Sequence, residues 1–273
     1  ALENDLGARL FDRSANRVTL TAQGKTLLRY ANKIASLAAE AQQKLDSADG
    51  QFSGELSLGV STTIAQYVLP RLIGAFLHEH PRVQLCLHSG NTEEVVQLVL
   101  AEKVSIGLIE GPARDRGIHI EPFMRDELVL IAPPASDSLH ASPQQLLSCN
   151  LLMREQGSGS RRVVETALDK AGLNLNNFRA VMNLDSTEAI KSAVEAGLGI
   201  GFVSQWAISK ELELGVLKTA HIRGLQMSRH FSLVTRTGPE QQGAPGAFRE
   251  FALARGRILS SPARKARNPA AAR

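Results

Sequence analysis

Beyond residue 54 the sequence alternates short apolar, β-branched runs with longer stretches whose apolar residues recur at helical spacing, and few architectures satisfy that alternation. Strands are expected at 55–61, 83–88, 105–110, 128–132, 150–154, 178–184, 199–204 and 230–235. Helices are expected at 64–79, 92–103, 143–147, 158–171, 187–195 and 247–258. Strand then helix, repeated, predicts an α/β fold, doubly wound, with helices on the faces of a parallel sheet. One strand runs out into Pro133 and Pro134, and apolar character returns over 231–235, so the chain is expected to cross between two lobes at these places. Lobe I then comprises 54–132 and 235–260, and lobe II 133–234, within a 54–260 unit. Two lobes joined by two strands make a hinge over a cleft, and open α/β sheets bind ligands at the carboxyl ends of their strands.

The preceding residues obey a different rule. Leu2, Leu6, Leu10 and Phe11 fall at helical spacing, a turn follows, and Arg17-Val18-Thr19-Leu20 reads as a strand. Residues 1–20 therefore look like the end of a winged helix. From Thr21, an N-cap residue, 21–49 is expected to be one linker helix, because Leu27, Leu28, Ala31, Ile34, Leu37, Ala38, Ala41 and Leu45 form a proline-free stripe at intervals of three, four and seven. A lone helix must bury such a stripe, and its alanines allow close approach, so self-pairing across a dimer is expected.

Charge is distributed unevenly. Of the 31 Lys and Arg and 27 Asp and Glu, residues 1–47 hold seven and five and residues 249–273 hold seven and one, leaving 17 against 21 over 48–248. Basic ends suit a polyanion partner, yet the Ala-, Arg- and Pro-rich 261–273 also reads as a solvated, disordered basic tail. No run approaches the roughly 18 apolar residues of a membrane span, and no basic-then-apolar leader opens the sequence, so a cytoplasmic protein without a membrane partner is expected. Cys86 and Cys149 lie apart in apolar runs and read as free thiols. Ala1 falls inside a pattern, so further residues are expected upstream.

Three segments are candidates for lining the cleft. Ser61-Thr62-Thr63 ends the first strand, and Asn91-Thr92 stands before the second helix. Short hydroxyl and amide side chains there either cap a helix or offer donors to an anion. The third segment is Gly157-Ser158-Gly159-Ser160, whose glycines permit a sharp turn with exposed amides, whose serines can cap, and beside which Arg161 adds positive charge. A carboxylate, sulfate or phosphate suits that turn. Glu110, at a strand end, is an ion-pair or amine-contacting candidate, and Gly201 and Phe202 are counted with the cleft. Gly197-Leu198-Gly199-Ile200-Gly201 precedes a strand, which favours a tight turn and close packing over phosphate binding.

Enzyme signatures are weak. There is no GxxxxGK[ST] loop, no G-x-S-x-G elbow after a strand and no histidine identifiable as a partner for Ser158. His78 and His80 close a helix ahead of Pro81 and read as solvated capping residues, not metal ligands. Asp185 and Glu188 could act as acid or base, and ion pairing explains them equally well. No catalytic, metal or cofactor site is expected.

The stretch LGARLFDRSANRVTLTAQGKTLLRYA, in which Leu6, Gly7, Leu10, Phe11, Arg13, Val18, Leu20, Thr21 and Gly24 match LGxxLFxRxxRxVxLTxAG, resembles the wing and linker of LysR-type transcriptional regulators; Gln23 departs where alanine is favoured. GELSLGVSTTIAQYVLPRLIGAFLHEHP, LVLIAPP and GLGIGFVS extend the resemblance along nearly the whole chain. It implies a winged helix-turn-helix, of which only the end would be present near Ala1-Leu2-Glu3, a dimerising linker helix, and a two-lobed effector domain resembling periplasmic solute-binding proteins. It also implies promoter DNA as a partner, contacted through the wing by Arg13 and Arg17, with Arg9 either a further contact or a residue that only solvates a helix, a homodimer or homotetramer, and a small, anionic metabolite as effector. The alternative is a periplasmic-type solute-binding protein for a small anion, which needs an export signal and has no use for a wing and a dimer helix.

Overall fold

The computed structural model describes residues 2–14, 17–46, 51–136, 143–222 and 224–260; the tail 261–273, the breaker 47–50 and the tip of the wing turn lie outside them. A short helix, α1 (Leu2–Asp5), leads into the antiparallel hairpin β1 (Phe11–Ser14) and β2 (Arg17–Leu20), and then into the 25-residue helix α2 (Ala22–Asp46). Thr21 caps α2 as expected, its Oγ1 accepting from the Gly24 amide at 3.0 Å. Position 24 must be glycine, since a Cβ there would lie 2.1 Å from the Leu10 carbonyl oxygen. On α2, Leu27 is half-buried, whereas Leu28, Ile34 and Leu37 are exposed, Ile34 by 67%, so these three have little cover within one chain. The side chains of Ala41 and Leu45 lie outside the described ones.

Lobe I comprises β3 (Ser53–Ser61), α3 (Thr62–Tyr67), α4 (Leu69–Glu79), β4 (Arg82–Gly90), α5 (Thr92–Leu100), β5 (Ile106–Glu110) and the first part of β6 (Ile118–Ala132). Lobe II holds β7 (Asn150–Arg154), α6 (Gly159–Lys170), β8 (Ala180–Leu184), α7 (Thr187–Glu195), β9 (Ile200–Ser204), α8 (Ser209–Leu214) and β10 (Lys218–Ala220). Strand β11 (Ser228–Arg236) and helix α9 (Gly243–Ser260) return to lobe I. The helix expected over 64–79 is two, since Pro70 lacks an amide hydrogen and the chain kinks at Val68 (φ −112°, ψ −51°). The segment 143–147 forms a 3-10 turn (Pro143–Ser148), not an α-helix.

The sheet order is β4-β3-β5-β11-β6-β9-β7-β8, with β10 beside β6. Within each lobe the pairings of β3 with β4 and β5, and of β7 with β8 and β9, are parallel, as the alternation requires. The crossing strands depart from the parallel expectation: β6 and β11 are antiparallel to each other, and β6 to β9, because the chain must pass once in each direction. Strand β6 pairs with β11 up to Glu127 and with β9 from Leu128, so the outward crossing lies ahead of the expected 132–134, and the return, at the start of β11, ahead of 231–235. Pro122 and the charged residues around it disguise the first ten residues of β6; the proline is tolerated beside a bulge at Phe231/Ser232.

Each sheet is covered on both faces, which explains strands without polar alternation. In lobe I, Leu56, Leu58 and Val60 of β3 pack with Ile64, Leu72, Phe76 and Phe248 on one face, while Val95, Val96, Val99 and Val234 fill the other. In lobe II, Leu151, Met153, Val164, Leu168 and Phe202 form the core under α6, and Leu152, Ile190, Val194 and Val203 that under α7.

Candidate functional site: the cleft between the lobes

Strands β3 and β5 of lobe I end at Ser61 and Glu110; β7 and β9 of lobe II end at Arg154 and Ser204. The three candidate segments behave differently there. Asn91 forms a capping box, its Oδ1 accepting from the Glu94 amide at 3.0 Å while Glu94 Oε2 accepts from the Asn91 amide at 2.8 Å. Thr92 Oγ1 donates to the Glu110 carbonyl at 3.2 Å. Ser158 caps α6, its Oγ accepting from the Arg161 amide at 3.4 Å. Capping thus accounts for Asn91 and Ser158. It does not account for Ser61, whose hydroxyl caps nothing, is fully buried and has no partner among the described residues.

Thr62 and Thr63 reach across to lobe II. Thr62 Oγ1 accepts from Arg154 Nη2 at 3.0 Å, and Thr63 Oγ1 lies 3.3 Å from Thr187 Oγ1, which itself accepts from Arg154 Nη1 at 3.3 Å. Arg154 also forms a two-point pair with Glu155, Nε to Oε2 at 2.8 Å and Nη2 to Oε1 at 3.0 Å. The Arg154 guanidinium is thus 2% exposed and held between Glu155 and hydroxyls of both lobes.

The glycine turn packs against lobe I at the start of α5 and the end of β5. Gly157 takes φ +84° and its carbonyl accepts from the Glu93 amide at 3.2 Å, while a Cβ on Gly159 would sit 1.4 Å from the Glu110 carbonyl oxygen and 2.6 Å from Thr92 Oγ1. The N-terminus of α6 therefore packs on the end of β5; Arg154, not this turn, meets Thr62. Ser160 Oγ donates to Glu110 Oε1 at 3.3 Å and accepts from Arg229 Nη1 at 2.8 Å. Arg161 folds back instead of adding free charge at the helix start, bonding the Arg154 carbonyl at 2.8 Å, Asn183 at 2.5 Å and Glu165 at 2.7 Å.

Glu110 belongs to a buried charge network beside the crossing strands. Arg229 Nη2 meets its Oε2 at 3.3 Å, and Arg154 Nη1 stands 3.9 Å from its Oε1. Arg229 Nε donates to Asp126 Oδ2 at 2.7 Å, and Ser204 Oγ donates to Asp126 Oδ1 at 2.7 Å. Gly201 and Phe202 are not brought to this group: Gly201 makes room for Ile190, and Phe202 lies in the core under α6.

A second interlobe contact lies towards α3 and α7. The Tyr67 hydroxyl donates to Glu188 Oε1, and Lys191 Nζ stands 2.9 Å from the same oxygen, 2.6 Å from Glu211 and 2.9 Å from the Ala207 carbonyl. Burial and the Glu188 bond push the Tyr67 phenol well above its ordinary range. Burial raises the Glu188 carboxyl, but hydrogen bonds from Tyr67 and Lys191 outweigh it and leave the pKa below its ordinary value.

Arg154, Thr187, Asp126 and Arg229 escape the sequence reading. Arg154 had a signal: it is a charged residue ending a buried strand, directly before the glycine turn. Nothing in Ser228-Arg229-His230 distinguishes Arg229. On the wing, Arg9 is exposed, while the side chains of Arg13 and Arg17 lie outside the described ones. His80 accepts from the Phe52 amide at 3.3 Å and packs edge-on against Phe52 and Phe76.

Two α/β lobes hinged by a pair of crossing strands, closing on a polar cleft and preceded by a hairpin and a long helix, define an effector-binding domain on a linker. The chain belongs to the LysR-type transcriptional regulators: residues 49–257 match the LysR substrate binding domain. It is 35% identical over 253 residues to a probable RuBisCO transcriptional regulator of Guillardia theta, covering 90% of this chain and 82% of the relative. It is 34% identical over 255 residues to the RuBisCO operon transcriptional regulator of Allochromatium vinosum, covering 92% and 83%. The regulatory domain of Synechocystis PCC6803 CcmR in complex with 2-PG superposes with a TM-score of 0.67 at 24% identity, covering 76% of this chain and 99% of that one. The family and these relatives are transcriptional regulators, not enzymes.

Proposed function

We propose that the cleft senses a small anionic metabolite and that its occupancy alters promoter binding by a homo-oligomer paired through α2. The observation that carries this reading is Arg154, a buried cation offered hydroxyls by Thr62 from lobe I and Thr187 from lobe II. An anion that displaces the Glu155 carboxylate from that guanidinium gains charge-assisted hydrogen bonds from both lobes at once, so it favours one lobe arrangement by its differential affinity. Ser61 and Thr63 supply further hydroxyls, whereas Asn91, Thr92, Glu110 and Gly157–Ser160 shape the cleft from its wall. The uncovered Ile34 and Leu37 support pairing through α2. The hairpin bears Arg13 and Arg17, with Arg9 beside it, as basic residues for DNA phosphates, and such a regulator acts in the cytoplasm. A hairpin and linker ahead of the lobes fit this reading better than a solute-binding protein.

The test is a thermal-shift screen with small anions, sulfate, phosphate and 2-PG among them, since a ligand that binds only the folded chain raises its midpoint. An anion that stabilises the protein should bind Thr62→Ala and Arg154→Gln about tenfold or more weakly by calorimetric titration. Unchanged affinity in both variants removes Arg154 from the site.

A further inference from the structure

A second groove, of about 430 Å³, lies against α6 and the start of β11 and shares none of Ser61, Thr62, Thr63, Arg154 or Thr187 with the cleft. One wall is the face of α6 bearing Val163, Thr166, Ala167 and Lys170; the other is the Gly111–Ala113 turn with Ile120 and Pro122 of β6. Its size falls within the roughly 300–1,000 Å³ of small-molecule sites. The walls belong to different lobes.

The chemistry of the lining is one-sided. Ile120, Val163, Ala167 and Met227 make an apolar surface, while the titratable lining residues are Lys170, Arg229 and His230, with no Asp or Glu. That sign is notable in a segment, 48–248, that carries more acidic than basic residues. Arg229 is spent on Asp126, Glu110 and Ser160. Lys170 and His230 are exposed and have no ion-pair partner among the described residues. Lys170 also sits in the last turn of α6, where it complements the helix dipole, but that role needs no groove.

We propose that this groove is a second small-molecule site, for an amphipathic carboxylate whose apolar body lies on Ile120, Val163, Ala167 and Met227 and whose carboxylate pairs with Lys170. Because one wall moves with each lobe, the occupant biases the interlobe arrangement from outside the cleft. This inference is independent of the anion assigned to Arg154.

The probe is 4-phenylbutyrate, with 4-phenylbutanol as its uncharged counterpart, titrated calorimetrically into the full chain. Lys170→Met should weaken the carboxylate by about threefold and leave the alcohol unchanged, as expected for one exposed charge pair. Thr166→Trp, which fills the groove from an exposed position, should abolish binding of both, and Thr62→Ala should alter neither. The proposal is overturned by absence of phenylbutyrate binding at millimolar concentration, by equal affinity in Lys170→Met and wild type, by binding that survives Thr166→Trp, or by binding lost in Thr62→Ala, which would place the probe in the cleft.

Discussion

The lobes touch through two charged clusters built on opposite terms. Beside the crossing strands, Glu110, Asp126, Arg154 and Arg229 have side chains no more than 2% exposed, and their charges are compensated by one another and, for Arg154, chiefly by Glu155. At the α3–α7 contact, Glu188 is 53% exposed and joins the lobes through one tyrosine hydroxyl. Buried charges resist rearrangement because any unpaired member loses hydration without replacement, whereas exposed ones can exchange partner for water. The difference predicts that the buried cluster acts as a fixed pivot and that the exposed Tyr67–Glu188 contact is the part that opens when the lobes part.

The largest test of that division is Asp126→Ala. It leaves Arg229 Nε and Ser204 Oγ without their partner in a dry site, and breaking such a buried pair costs about 3–5 kcal/mol. For a domain of this size that is a fall of about 6–20 °C in thermal midpoint, measurable by calorimetry. A fall of no more than a degree or two would mean that water reaches the pivot and that the two clusters do not differ in kind.

The same division explains what can be read in the sequence. Core positions such as Leu56, Leu58, Ile190 and Val194 declare themselves by period, because burial selects residue type along each element. Helix starts at Asn91, Ser158 and Ser186 are legible for a similar reason: a cap is a local bargain between neighbouring residues. The pivot is not local. Arg229 meets Glu110 and Asp126 across 119 and 103 residues, and only the folded sheet sets those distances. Ser61 and Asn91 look alike as strand-end polar residues, yet Asn91 completes a capping box with Glu94 while Ser61, which has Ile64 three residues on, caps nothing.

An intermediate effect is expected from Gly159→Ala, which sharpens the comparison by pressing on the pivot without removing a charge. The new methyl would stand 1.4 Å from the Glu110 carbonyl oxygen, a backbone atom that cannot swing aside. Overpacking of this kind costs about 1–3 kcal/mol. The strain is relieved by moving α6 away from β5, so the variant should also show faster amide exchange at Ser160 and Arg161. Gly172→Ala, where nothing lies within 4 Å but φ is +72°, controls for strain at a glycine away from the contact. Equal loss in the two variants, with α6 exchange unchanged in Gly159→Ala, would remove the close approach as the cause.

The smallest effect belongs to Tyr67→Phe, which deletes only the hydroxyl bonded to Glu188 and leaves the Thr63–Thr187 contact between α3 and α7 in place. Glu188 keeps Lys191 and gains water, so the loss should be no more than about 1 kcal/mol. Its pH dependence identifies the bond. The Glu188 carboxyl is held below its ordinary 4.5 in the folded chain, so the stabilisation is fully present above that value and disappears as pH falls through the lowered pKa. Tyr67 stays protonated throughout, since its own pKa is shifted upward. Wild type and Tyr67→Phe should thus differ in thermal midpoint at pH 7 and converge at acid pH. In Asp126→Ala, by contrast, the deficit at pH 7 should remain several times larger than that of Tyr67→Phe. A Tyr67→Phe deficit that persists unchanged at acid pH would show that the hydroxyl contributes independently of the Glu188 charge, and the contact would then not be weakened by protonating that carboxylate.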